Sequence, residues 1–207
     1  VVQCGTRLAS ARGGQLGSTD DGVEQDEGSR RNSQAFELPD TIRLDEGAAL
    51  PINDVTAYQA LTRVGRIEAG QTVLISGAAG AVGHALIQLS RALGAKPIAV
   101  VSSLLKAEAA RKSGAAAVVD LSTEILSDVV SSLTAGQGAD LAFDPVGGPL
   151  LRDLIKSVRE RGAIVSIGFA GGAEACLDLA EIVVHEKRLL GYDAWLETDE
   201  AVSSAFS

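Results

Sequence analysis

The hydrophobic pattern changes character near residue 35 and again near residue 70. Beyond residue 70, short apolar runs alternate with segments of helical period. The runs predict strands over 72–76, 97–101, 116–120, 140–144, 163–167 and 188–192. The segments between them predict helices over 82–93, 103–113, 123–133, 149–158 and 173–183. Several runs are continuously apolar, as strands covered on both faces are. This alternation predicts an α/β fold with a doubly wound parallel sheet, right-handed crossovers placing helices on both sides.

Residues 1–34 have almost no apolar positions and are rich in Gly, Ser, Asp, Glu and Arg. Such a segment buries too little surface to offset its ordering entropy, so an irregular or disordered arm is expected. Residues 35–70 form a proline-bearing connector and one helix over 55–63, with Asp54 as its cap, Ala57, Leu61 and Val64 on one face, and Gly65 at its end. Residues 193–207 read as a polar helical stub that ends abruptly.

At 46% hydrophobic but 3% aromatic residues, the core must be built from Ala, Val, Leu and Ile. A net charge of −9 argues against non-specific nucleic-acid binding. Cys4 and Cys176 lie far apart, which suggests free thiols in a reducing, cytoplasmic setting rather than a disulfide framework. No run approaches a membrane span, and no signal-peptide pattern opens the chain. The chain has no methionine and starts at Val1, as a processed product or fragment would.

The densest signal lies at Thr72–Leu89. An apolar run enters a glycine-rich turn that opens directly into an amphipathic segment. This is the strand–turn–helix layout of a dinucleotide-binding βαβ unit, in which backbone N–H groups at a helix N-terminus face a pyrophosphate. Aligned to G-x-G-x-x-G, the turn runs Ala78, Ala79, Gly80, Ala81, Val82, Gly83, with alanine in the first glycine position. Gly80 would admit the pyrophosphate and Gly83 would allow tight helix–strand packing. Residues 71–192 are therefore the expected dinucleotide-binding domain. His84 is expected as a polar residue of the first helical turn rather than a phosphate ligand.

An acidic residue about 20 positions past the motif would hold the ribose hydroxyls of NAD. No Asp or Glu stands there, within residues 99–103; Ser102 and Ser103 do, followed by Lys106 and later Arg111. Hydroxyls and an ammonium accept a 2′-phosphate that a carboxylate would repel, so NADPH is the expected cofactor. The strand-end rule for ligands selects two further turns, around Val146 and Gly147 and around Gly168 and Phe169. Asp144, at the first of these, is an N-cap, a turn former or a catalytic group. Two cysteines and two scattered histidines, His84 and His185, do not suffice for a zinc site. Tyr58 suits a core or interface role, and no catalytic acid or base can be named.

The ordered segments LPDTIRLDEGAALPINDVTAYQAL, GAAGAVG, SSLLKAEAARKSGA, DPVGG and IVSIGFAGG resemble the medium-chain dehydrogenase/reductase superfamily. Within it, residues 36–192 are similar to the zinc-independent quinone oxidoreductase branch that includes zeta-crystallin. The resemblance implies NADPH-dependent hydride transfer to quinones or α,β-unsaturated carbonyls. It also implies a nicotinamide near Thr56, the 146–147 turn and the 168–169 turn, with Ser102 and Lys106 at the 2′-phosphate. A homodimer through the sixth strand, near Leu189–Tyr192, follows from the same likeness. Enoyl reductases share these motifs, and a catalytically silent NADPH-binding module is a further alternative. Family members carry an N-terminal catalytic β domain that is largely missing from this sequence.

Overall fold

In the computed structural model, the described residues are 8–10, 35–37, 41–43, 47 and 50–198. Among them no helix is long and apolar enough to cross a membrane. The chain divides into two compact units, Val1–Thr56 with Ala194–Ser207, and Ala57–Asp193. The boundary therefore falls earlier than residue 71.

In the first unit, β1 (Leu8–Ser10) pairs antiparallel with β2 (Ala35–Glu37), Leu8 standing opposite Glu37. The expected irregular arm thus contributes a strand, and the expected connector opens with its partner. The helical stretch begins before Asp54, with a π-helical turn at Leu50–Asp54 preceding α1 (Val55–Gln59). Pro51 sits in the first turn, where its missing N–H costs nothing. Asp54 is therefore inside the helical run, not at its cap. Within its described residues, the polar stub after 193 forms a 3-10 turn at Ala194–Leu196. Residues 199–207, like Cys4, lie outside the described residues.

The second unit holds a six-stranded, fully parallel sheet in the order β5-β4-β3-β6-β7-β8. Its strands are β3 (Thr72–Ile75), β4 (Lys96–Val101), β5 (Ala117–Asp120), β6 (Ala139–Asp144), β7 (Val158–Ser166) and β8 (Arg188–Gly191). The crossovers are α2 (Ala81–Ala92), α3 (Leu104–Lys112), α4 (Leu126–Leu133), α5 (Leu150–Ser157) and α6 (Leu179–Val183). This is the doubly wound order, which reverses between β3 and β6.

Strand period two divides the core between the sheet faces. Val73, Ile75, Ala99, Val101, Leu141, Phe143, Ala163 and Val165 join one cluster with α2 and α3 residues. Leu74, Ile98, Val100, Ala142 and Ile164 join the other with α4 and α5 residues. Phe143 is wholly buried, each such side chain contributing about 1.5–3 kcal/mol. Gly65 ends the helical stretch, its N–H bonded to Ala60 O at 2.8 Å. A Cβ there would fall 2.7 Å from the Phe143 ring, so this glycine is also where the helix end meets the sheet.

Three elements differ from expectation. β7 starts at Val158, and its pairing with β6 jumps from Ala139↔Val158 to Leu141↔Ala163. The intervening loop-out carries Arg161 at φ 58°. α4 begins at Leu126 because Asp120 organises the preceding turn, its Oδ1 accepting from Ser122 N (3.0 Å) and Ser122 Oγ (2.7 Å). α6 is confined to Leu179–Val183, with Asp178 as N-cap accepting from Ala180 N at 2.9 Å. Residues 173–178 are irregular chain instead of helix.

Candidate cofactor site

Beyond the C-terminal end of β3, Ser76 N bonds Phe143 O (3.0 Å) and Ala78 N reaches Val100 O (3.5 Å). The turn is thus tied to both neighbouring strands. Gly77 has φ 54°, and Gly80 N closes the turn on Gly77 O at 2.8 Å. The left-handed residue of the turn is therefore Gly77, one place before the aligned motif. Ala78, in the motif's first glycine position, is fully buried and is not required to take that conformation. Gly80 is the N-cap of α2, extended at φ −85° and ψ 171°, with no side-chain cap. The first N–H groups of a helix have no intrahelical partner, so Ala81, Val82 and Gly83 present donors at the positive end of the dipole. A Cβ on Gly83 would lie 2.3 Å from Gly77 O and 2.8 Å from Ala78 Cα. Helix and turn touch there backbone to backbone.

His84 is exposed and bonded within the protein. Its Nδ1 lies 2.6 Å from Ser113 Oγ and its Nε2 3.0 Å from Gln88 Nε2. An amide nitrogen only donates, so Nε2 accepts and Nδ1 carries the proton toward Ser113. Ser113 Oγ donates on to Ala109 O at 3.0 Å. His84 therefore ties α2 to the end of α3.

At the end of β4, Lys106 Nζ donates to Ser102 Oγ at 3.0 Å, and both residues are exposed. Ser103 is the N-cap of α3 and makes no side-chain capping bond. Two hydroxyls, an ammonium and a helix N-terminus thus share one corner. Asp120, in register with Val101 on the next strand, has its Oδ1 engaged by Ser122. Arg111 lies near the far end of α3, exposed.

The turns after β6 and β7 meet each other. Ile167 N bonds Asp144 O (2.8 Å) and Gly171 N bonds Val146 O (2.7 Å). Gly147 has φ 70°, and a Cβ on it would fall 2.8 Å from Gly168 O. Phe169 is 74% exposed on this edge. Asp144 proves to be a turn former. Its Oδ1 accepts from Val146 N (3.0 Å) and Gly147 N (3.1 Å), and also from Ser76 Oγ (2.5 Å). This last bond spans 68 positions and carries no local sequence signal. Within the second unit, Ala79, Gly80, Ser102, Ser103, Val146, Gly147, Gly168 and Phe169 stand on C-terminal strand ends or the turns that follow them, and Ala81–Gly83 and Lys106 stand in the first turn of the next helix. Thr56 belongs to the first unit, buried on α1. Among the described residues, no group of three or more His, Cys, Asp or Glu is placed to hold a metal ion.

A family profile described as zinc-binding dehydrogenase matches residues 81–204. Quinone oxidoreductase-like protein 2 of Rattus norvegicus is 38% identical over 138 residues, covering 66% of this chain and 39% of that protein. The 2-haloacrylate reductase of Burkholderia sp is 35% identical over 139 residues, covering 66% and 42%. The crystal structure of Escherichia coli quinone oxidoreductase complexed with NADPH superposes with a TM-score of 0.77 at 28% identity, over 84% of this chain and 54% of that one. The chain thus spans about two fifths of the length of these curated relatives. With the β3 turn, the strand order and the strand-end turns in place, the chain belongs to the zinc-binding dehydrogenase family, in the zinc-independent quinone oxidoreductase branch of the medium-chain dehydrogenase/reductase superfamily.

Proposed function

We propose that this chain is the cofactor-holding part of an NADPH-dependent oxidoreductase acting on quinones or α,β-unsaturated carbonyl compounds. The observation that carries the reading is the Ser102–Lys106 pair beside the unsatisfied Ser103 cap, at the strand end where an NAD enzyme needs a carboxylate. The cradle fits the cofactor: Gly80 and Gly83 leave the helix N-terminus open, and a Cβ on Gly83 would fall on the backbone of the turn. Bound there, the dinucleotide would supply a hydride. Ala79, Ala81, Val82 and Gly83 would donate backbone N–H groups to the pyrophosphate, with Gly80 between them allowing its close approach. Ser102, Ser103 and Lys106 would hold the 2′-phosphate, the ammonium through charge-assisted hydrogen bonds. Val146, Gly147, Gly168 and Phe169 would wall the nicotinamide end. In such enzymes the protein contributes mainly orientation. The names of the relatives support the substrate class, since both a quinone and a haloacrylate are electrophilic acceptors.

We further propose a homodimer through β8. It is an edge strand of the sheet, and an exposed edge is a template for strand pairing. Leu189 on it is 42% exposed, and Leu179, Val183 and Val184 beside it are each more than 70% exposed.

The test is a calorimetric titration with NADPH and NADH, followed by NADPH oxidation against quinones, enones and enoyl thioesters. Tight NADPH binding, weak NADH binding and turnover of quinones or enones are expected. Binding without any turnover would favour a silent module, and turnover of thioesters alone would favour an enoyl reductase. Sedimentation velocity checks the dimer; a monomer at micromolar concentration would refute it.

A further inference from the structure

We propose that Asp144 is a positioning residue that clamps the glycine turn after β3 to the turn after β6, and that cofactor affinity depends on this clamp. The proposal rests on the reading that these turns cradle a nicotinamide dinucleotide. Asp144 and Ser76 are both fully buried. A turn of this kind needs only the two backbone donors, Val146 N and Gly147 N. The third bond, from Ser76 Oγ, adds nothing to that turn and reaches the other one.

Its location matters. The β3–β6 pairing ends at Ile75↔Phe143, and Ser76 N to Phe143 O is a final backbone tie. Past that point the strand order reverses and the two crossovers run to opposite faces, so the turns have reason to part. Ser76 directly precedes Gly77, whose left-handed backbone starts the phosphate turn. Gly77 in turn lacks a Cβ that would fall 2.8 Å from Val146 Cγ2. The hydroxyl–carboxylate bond thus fixes the separation of two turns that touch the same ligand.

Burying a carboxylate is costly unless its oxygens are bonded. Here one oxygen takes all three bonds, while the buried Oδ2 has no partner among the described residues. The clamp therefore needs one acceptor oxygen, which asparagine also provides. Asp144→Asn should bind NADPH within about twofold of the parent chain, although an unpartnered amide nitrogen lowers its melting temperature. Asp144→Ala and Ser76→Ala should each weaken NADPH binding about tenfold, equivalent to one lost hydrogen-bond partner. Affinity for 2′-AMP, which reaches only the Ser102–Lys106 corner, should stay unchanged in all three.

Amide hydrogen exchange on the ligand-free chain gives the second arm. Ser76→Ala should speed exchange at the bonded turn amides Ala78 and Gly80 while leaving Val146 and Gly147 protected; Asp144→Ala should speed both sets; Asp144→Asn neither. Equal NADPH affinity in all variants overturns the clamp. So does a loss that follows melting temperature across all three, or exchange at Ala78 and Gly80 that none of them changes. Failure of the parent chain to bind NADPH would instead overturn the cofactor reading, with exchange alone then deciding whether the clamp exists.

Discussion

Gly83→Ala is the smallest change that should disable the cradle. The added methyl carbon would sit 2.3 Å from Gly77 O, 2.8 Å from Ala78 Cα and 2.8 Å from Gly77 C. All three are backbone atoms, so no rotamer change relieves the clash. Restoring an ordinary contact of about 3.4 Å requires the start of α2 to retreat by about 1 Å. That movement lengthens the Gly80 N to Gly77 O bond, now 2.8 Å, and withdraws the donors of the first turn. Forced overpacking costs about 1–3 kcal/mol, and rigid backbone on the other side argues for the upper end. A displacement of about 1 Å at a positioned site costs on the order of a hundredfold, so NADPH affinity should fall by about that much. Urea denaturation measures the first quantity and calorimetric titration the second. Gly191→Ala is the control, since a Cβ there meets nothing within 4 Å; its stability should move by less than about 0.5 kcal/mol. If Gly83→Ala behaves like Gly191→Ala in both assays, the backbone contact at Gly83 does not set the turn.

Lys106→Ala should weaken NADPH binding by about 1.5 kcal/mol, the low end for a charged hydrogen bond because the side chain is exposed, and leave NADH unchanged; equal losses in parallel titrations would misplace the 2′-phosphate. Lys187 is buried, its Nζ donating to Ile155 O (2.7 Å) and Glu181 Oε2 (3.1 Å). Lys187→Met should therefore cost about 2 kcal/mol in urea denaturation, and no loss would mean these bonds are replaced by water. The Arg161 guanidinium has its pKa raised, chiefly by the hydrogen bond and charge of Glu186. A raised pKa contributes stability below the unfolded value that is lost only as pH climbs through the folded one, which for arginine lies far into alkali. The stability difference between the parent and Arg161→Gln should thus stay level over roughly pH 6–9 as far as Arg161 itself titrates; a decline toward pH 9 would contradict the assignment.

The centre of the sheet was legible because β3, β4, β6 and the second half of β7 are apolar runs between turn residues, and burial on both faces leaves such a run little alternative. The departures occur where local pattern carries no information. The early start of β7 passes through Arg159, Glu160 and Arg161, charged residues with no strand period; the loop-out is held by Arg159 Nε on Asp140 Oδ1 (2.7 Å) and Arg161 Nε on Glu186 Oε2 (2.8 Å). The shortened α6 did carry a signal, Asp178 ahead of Leu179, which outranks the weak helical period of 173–178. The Ser102–Lys106 corner was readable because the two residues stand only four positions apart, across the start of α3. The Asp144–Ser76 bond was not, since a contact between distant strands depends on strand order, which local spacing does not encode.

The turns after β6 and β7 face each other with glycine rather than side chains. Gly147 meets Gly168 O and Gly172 O, and Gly148 meets Gly171 O, where a Cβ would fall 2.5 Å away. A side chain immobilised when a ligand docks costs about 0.5–1.5 kcal/mol of lost rotamer freedom. Where these glycines would form the proposed wall, backbone has no rotamers to lose, leaving only Val146 and Phe169 as side chains to be ordered. The shape of that glycine part is set when the chain folds, so the ordering entropy is met once, in folding, and is not charged again each time a ligand arrives.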